Sequence, residues 1–235
     1  MSRYHGSLLC QVAGLVALLV ITGTLVLLPR HSAVADEGAI DPLANTEGQH
    51  AAYSGNDFWI NYRGHAADIK GLIDNLGYVT LKEEYPTKDS AVAAAPSREV
   101  WYSLSDGGVD AQERFVCLCF GINGGDLLYA ADLPGGLAYR LVFLNGCKSA
   151  TGDGPVFAQK FGTQAYVGWK KEIAQGAAVP FAKAFFAALK GRNTVGQAVT
   201  AGINSFSPGS WAYQQVVDNI TILKGQNVVV DLSSK

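Results

Sequence analysis

Cys147 is the residue of this chain best placed to react. It lies in Asn145-Gly146-Cys147-Lys148-Ser149, directly after the apolar run Tyr139–Leu144. A thiol flanked by small residues at a strand end is open to an electrophile. The neighbouring glycine lets a substrate carbonyl come close to backbone N–H groups. The Lys148 cation would favour the thiolate over a thiol whose ordinary pKa is about 8.5. The competing reading is a buried structural cysteine that closes a core strand. Two other apolar segments also end in polar clusters. Arg63-Gly64-His65 follows Phe58–Tyr62, and Ser105-Asp106-Gly107-Gly108 follows Glu99–Leu104. His65 is a candidate general base, with a solvated loop histidine as its alternative.

The stock of such groups is small. Beyond residue 35 the histidines are His50 and His65, and the cysteines are Cys117, Cys119 and Cys147. No Cys/His cluster has metal-ligand spacing, so neither a metal nor another cofactor is expected. Cys117 and Cys119 stand two apart on an expected strand and share a face, which suits them poorly to a mutual disulfide. Both read as small buried apolar residues, and three cysteines leave at least one thiol free or bonded to another molecule.

These residues need a scaffold, and the sequence alternates strands with helices. Strands are expected at Phe58–Tyr62, Tyr78–Leu81, Glu99–Leu104, Tyr139–Leu144 and Gln164–Trp169. A helix over Ala66–Leu76 places Ile69, Leu72, Ile73 and Leu76 on one face, with Gly77 as its stop. Weaker helices are expected over Asp89–Ala95, from Pro155 to Phe161, and over Thr194–Ala201. A strong one has Pro180 in its first turn and Phe181, Phe185 and Leu189 on one face. Arg114–Phe120 and Leu127–Tyr129 read as an inserted hairpin. Ile220–Leu223 and Val228–Val230 read as a C-terminal hairpin. The fold class is therefore α/β, three-layered, with a mostly parallel central sheet and helices on both faces. In such sheets ligands gather at the carboxyl ends of the strands, where all three polar clusters fall.

Residues Leu8–Leu28 carry no charge, with Arg3 before them and Ala33-Val34-Ala35 after. Residues 1–35 therefore read as an export signal cut after Ala35, or as a retained membrane anchor through residues 8–28. Either reading puts the rest of the chain outside the cytoplasm, in the periplasm, at the cell surface or beyond. Residues 36–56 are polar and aperiodic and read as a linker, leaving 57–235 as the globular domain. The 235 residues have a mean hydropathy of +0.13, raised by the N-terminal run, and a net charge of −2. There is no basic field for nucleic acid. Asn219-Ile220-Thr221 is a formal glycosylation sequon.

The order of these elements and their ends resembles the caspase-like cysteine peptidase superfamily: caspases, metacaspases, gingipains and CHAT domains. Leu141-Val142-Phe143-Leu144-Asn145-Gly146-Cys147-Lys148-Ser149-Ala150 is similar to the strand that delivers the family's nucleophile, which puts Cys147 in that position. Arg63-Gly64, Ala67-Asp68, Leu72 and Leu76-Gly77-Tyr78-Val79 resemble its first strand-helix-strand. Phe161 to Trp169, ending Gly168-Trp169, resembles its fifth strand, and Leu189-Lys190-Gly191 with Thr194-Val195 and Ala198 its closing helices. The likeness runs from about Asp57 to Ser205. It implies an oxyanion hole from the Gly107 and Cys147 N–H groups, and it puts Arg63 where some members hold an acidic side chain of the substrate.

One position departs from that pattern. The family's His-Gly falls in Tyr102-Ser103-Leu104-Ser105-Asp106-Gly107-Gly108, and Asp106 stands where the histidine belongs. A carboxylate there cannot serve equally well as the imidazole that activates the thiol and protonates the leaving group. The expected function is that of an exported pseudopeptidase acting as a protein-binding or assembly module. The alternatives are an active cysteine endopeptidase that cleaves polypeptides through Cys147 with His65 as surrogate base, and a surface protein that self-associates.

Overall fold

Three apolar runs, Val100–Leu104, Leu141–Asn145 and Ala165–Trp169, are strands buried at every position. A strand covered on both faces reads as continuous apolar sequence, and these are the middle of a covered sheet. The computed structural model describes residues 50–55, 62–84, 87–96, 99–105, 107–109, 115–120 and 126–232. The N-terminal run 8–28, residues 36–49 and positions 58–61 of the expected strand Phe58–Tyr62 lie outside the described residues. Among the described residues, no helix is long and apolar enough to cross a membrane.

In chain order the elements are β1 (His50–Gly55), α1 (Tyr62–Asp74), β2 (Val79–Glu84), α2 (Lys88–Ala94), β3 (Val100–Leu104) and β4 (Gly107–Val109). There follow β5 (Phe115–Phe120), β6 (Asp126–Leu128), β7 (Leu141–Asn145), α3 (Gly154–Lys160) and β8 (Ala165–Trp169). The chain continues through α4 (Gln175–Leu189), α5 (Val195–Asn204), α6 (Trp211–Asn219) and β9 (Ile220–Lys224). The main sheet has the order β2-β1-β3-β7-β8-β9, and β4-β5-β6 form a separate antiparallel sheet. Every pair in the main sheet is parallel except β8 with β9. The expected α/β class, a mostly parallel sheet between helices, is the observed one.

Strand alternation sorts the core into two layers. Val100, Tyr102, Leu141, Phe143, Val167 and Trp169 face a layer built from Ile69, Ile73 and Leu76 of α1 and Phe181, Phe185 and Phe186 of α4. Trp101, Val142, Leu144 and Tyr166 face the other layer, with Phe157 and Phe161 at α3 and Ala91 of α2. Each such aliphatic or aromatic side chain contributes about 1.5–3 kcal/mol by leaving water.

Three boundaries differ from the sequence reading. The first strand is His50–Gly55, inside the stretch read as linker, and Tyr62 opens α1 instead of ending a strand. His-Ala-Ala-Tyr-Ser-Gly has little β propensity of its own; position between two parallel neighbours decides its conformation. The strong helix starts at Gln175, so Pro180 lies inside it. The last strand pairs with β8 instead of folding back on Val228–Val230. Val229 bridges Thr194, and the Val228 carbonyl accepts from the Val195 N–H at 2.9 Å. The expected C-terminal hairpin is therefore not formed. Helix α6, begun by Ser210 whose side chain accepts from the Tyr213 N–H, had no counterpart in the sequence reading.

Candidate functional site at the strand ends

Gly55, Leu104 and Asn145 stand in one row across β1, β3 and β7, so the carboxyl ends of these strands finish level. Two turns leave that row side by side. Residues 105–107 lead from β3 into β4, and residues 146–150 lead from β7 toward α3. Their backbones touch. A Cβ on Gly107 would overlap the Cys147 carbonyl oxygen and stand 3.0 Å from the Cys147 nitrogen, and a Cβ on Gly146 would stand 2.9 Å from the Ser105 carbonyl oxygen. Glycine is required at both positions because backbone occupies the space of a side chain.

The turn that carries Cys147 is pinned from both layers. Asn145 is buried and donates from Nδ2 to the Tyr102 hydroxyl at 2.9 Å, while its Oδ1 accepts from Trp169 Nε1 at 2.6 Å. Ser149 is buried on the other side of the sheet. Its hydroxyl donates to the Leu144 carbonyl at 2.6 Å and accepts from the Trp169 N–H at 3.0 Å. The Tyr166 hydroxyl donates to the Ser149 carbonyl at 2.6 Å, and burial raises the Tyr166 pKa well above its ordinary value, keeping that donor protonated. Between these anchors Lys148 takes a left-handed conformation, φ 59°, which costs a side-chain-bearing residue energy and persists only where its surroundings enforce it.

Cys147 itself is half-buried. Its Sγ donates to the Ile173 carbonyl at 3.7 Å and accepts from the Ile173 N–H at 3.5 Å. The Lys148 N–H donates to the Lys171 carbonyl at 3.0 Å, and Lys148 Nζ lies 3.4 Å from Glu172 Oε1. The loop between β8 and α4 therefore lies directly against the thiol. Sequence reasoning did not single out this loop, because Lys170–Ala174 carries no periodicity or motif.

The other candidates fall in different places. Asp106 lies outside the described residues; Gly107, its neighbour, opens β4 with its backbone against Cys147. Arg63 and His65 are in the first turn of α1, not at a strand end, so that expectation is corrected. The His65 ring lies by Lys183 of α4 and Asp68 of α1, which form an ion pair with each other. Burial first, and then the Lys183 cation, hold the His65 pKa below its ordinary value, with Asp68 opposing. Nδ1 of His65 is buried with no hydrogen-bond partner among the described residues. Lys183 stands eight residues into α4, about 12 Å along its axis from the end that borders Cys147. Cys117 and Cys119 occupy β5, opposite Gly108 and Leu127. Asn219 is buried at the end of α6 with Nδ2 donating to the Gln215 carbonyl, which closes the sequon in the folded chain.

Solved structures share this fold. The chain is similar to the Arg-specific cysteine proteinase gingipain R, with a TM-score of 0.56 at 14% identity over 78% of this chain and 47% of that one. A complex of the pro- and mature domains of RgpB from Porphyromonas gingivalis matches with a TM-score of 0.58, also at 14% identity, over 78% and 48%. The Saccharomyces cerevisiae separase–securin complex matches at 0.51 and 12% identity, over 75% of this chain and 12% of that one. The chain thus spans about half the length of the gingipain structures it matches. Neither the protein-family models nor the curated proteins give a match. The protein has a caspase-like cysteine peptidase fold.

Proposed function

We propose that this chain is an exported caspase-like domain that has lost the Cys–His pair and works as a protein-binding or assembly module. Its ligand cleft lies where Gly107 meets the turn after β7, with Cys147 at its floor. One observation carries this reading. The Gly107–Cys147 backbone contact that would frame an oxyanion hole is kept, while the residue before Gly107 is an aspartate. A thiol at that place without a base has no group to take its proton and return it to a leaving amine. The His65 imidazole lies in the α1–α4 seam beside Lys183 and Asp68.

A polypeptide ligand fits the company the fold keeps. The RgpB structure is a complex of pro- and mature domains, and separase is in complex with securin. The uncharged run Leu8–Leu28 and the Ala33-Val34-Ala35 site support export.

The test is reaction of the full chain with a peptidyl acyloxymethyl ketone, compared with Cys147→Ala and His65→Ala. A binding module shows no His65-dependent labelling. Labelling at Cys147 that His65→Ala abolishes would establish a working dyad and overturn the reading.

A further inference from the structure

The loop after β8 does more than border the cleft. Four contacts join residues 171–173 to Cys147 and Lys148: the two Cys147–Ile173 hydrogen bonds, the Lys148–Lys171 backbone bond and the Lys148–Glu172 ion pair. The thiol gives its proton to the Ile173 carbonyl and takes the Ile173 N–H on sulfur, so an attacking lone pair is engaged while the loop stays in place. The Ile173 side chain packs on the α4 layer of the core and seats the loop. Just beyond it, Nε2 of Gln175 is buried with no hydrogen-bond partner among the described residues. A buried amide donor without an acceptor is unfavourable.

We propose that residues 170–174 are a latch over the Cys147 thiol, which a ligand must open to reach the floor of the strand-end cleft. The ion pair is the part of the latch that can be altered without touching the core, since the Glu172 side chain is 77% exposed and that of Lys148 33%. For its ligand the latch rests on the reading of this cleft as a binding site; its test needs no partner.

The test is the rate of iodoacetamide alkylation of the full chain, resolved at the Cys147 peptide by mass spectrometry and followed across pH. Glu172→Gln and Lys148→Met each break the same ion pair, with opposite effects on the local charge. A latch predicts that both raise the plateau rate at high pH by about two- to fivefold, the scale of one partly exposed ion pair. Plain electrostatics predicts opposite changes, with Lys148→Met slowing the reaction. Opposite signs, unchanged plateaus, or a shift of the pH midpoint alone would overturn the latch. Ketone labelling at Cys147 that His65→Ala abolishes overturns the pseudopeptidase without bearing on these rates.

Discussion

A side chain on Gly107 has no place to go, because the backbone of Cys147 occupies the position its Cβ would take. Gly107 opens β4 and Cys147 lies in the turn after β7, so their contact fixes the spacing between the chain after β3 and the turn after β7. Gly107→Ala therefore forces one turn away from the other and costs about 1–3 kcal/mol, as overpacking does. Gly108, the next residue, faces open space. Gly108→Ala is expected to leave the urea midpoint unchanged or raise it slightly. Equal losses for the two variants would show that the Gly107–Cys147 contact is not what holds the turns.

Asn145 joins three strands' worth of packing through one side chain. Asn145→Ala strands the buried Trp169 indole N–H and removes a donor to the Tyr102 hydroxyl. A lost partner of this kind costs about 1–3 kcal/mol per stranded group. Chemical denaturation measures the loss. Amide exchange at Ser149 reports whether the turn loosens, and unchanged exchange would separate stability from the geometry of the thiol.

The pH dependence of stability has a definite sign at His65. The folded protein holds this imidazole below the ordinary value of 6.5, so the unfolded chain binds its proton more readily. Stability then falls as pH drops through about 6.5 and stops falling from this source once the folded pKa has been passed. His65→Gln should flatten the urea midpoint between about pH 7 and pH 5. Lys183→Met removes one cause of the shift and should raise the His65 pKa in an NMR titration. Its direct stability cost through Asp68, a partly exposed ion pair, stays within about 1 kcal/mol.

Asp231 is 6% exposed, and one of its oxygens accepts the N–H groups of Gly191 and Arg192 at 2.7 and 3.2 Å, just past the end of α4. Hydrogen bonds to a charged group of this kind are worth about 1.5–3 kcal/mol each. Asp231→Ala should lower the thermal midpoint clearly, whereas a change at exposed Lys190, in the same turn, should not.

Much of this architecture is legible in the sequence because burial on both faces leaves an unmistakable mark. Val100–Leu104, Leu141–Asn145 and Ala165–Trp169 are apolar but for Ser103 and Asn145, and each is followed by a glycine or a polar turn. The strand-end placement of Cys147 follows from that alone. What escapes is decided by neighbours. His50–Gly55 carries no strand pattern, yet it lies between β2 and β3, and its true position shifts Arg63 and His65 from a strand end into a helix. Val228–Val230 looks like the second arm of a hairpin, but its β-branched residues are used against α5. Ile173 reaches the thiol through its backbone, and a contact made by main-chain atoms leaves no trace in residue type.

The stretch that follows β9 ties together parts of the chain that are made at very different times. The Tyr78 hydroxyl donates to the Val230 carbonyl, 152 residues away, the Leu232 N–H donates to the Leu76 carbonyl, and both Val230 and Leu232 are buried. The layer over α1 stays unsealed on the ribosome until residue 232 has emerged. Closure between such distant segments also slows folding.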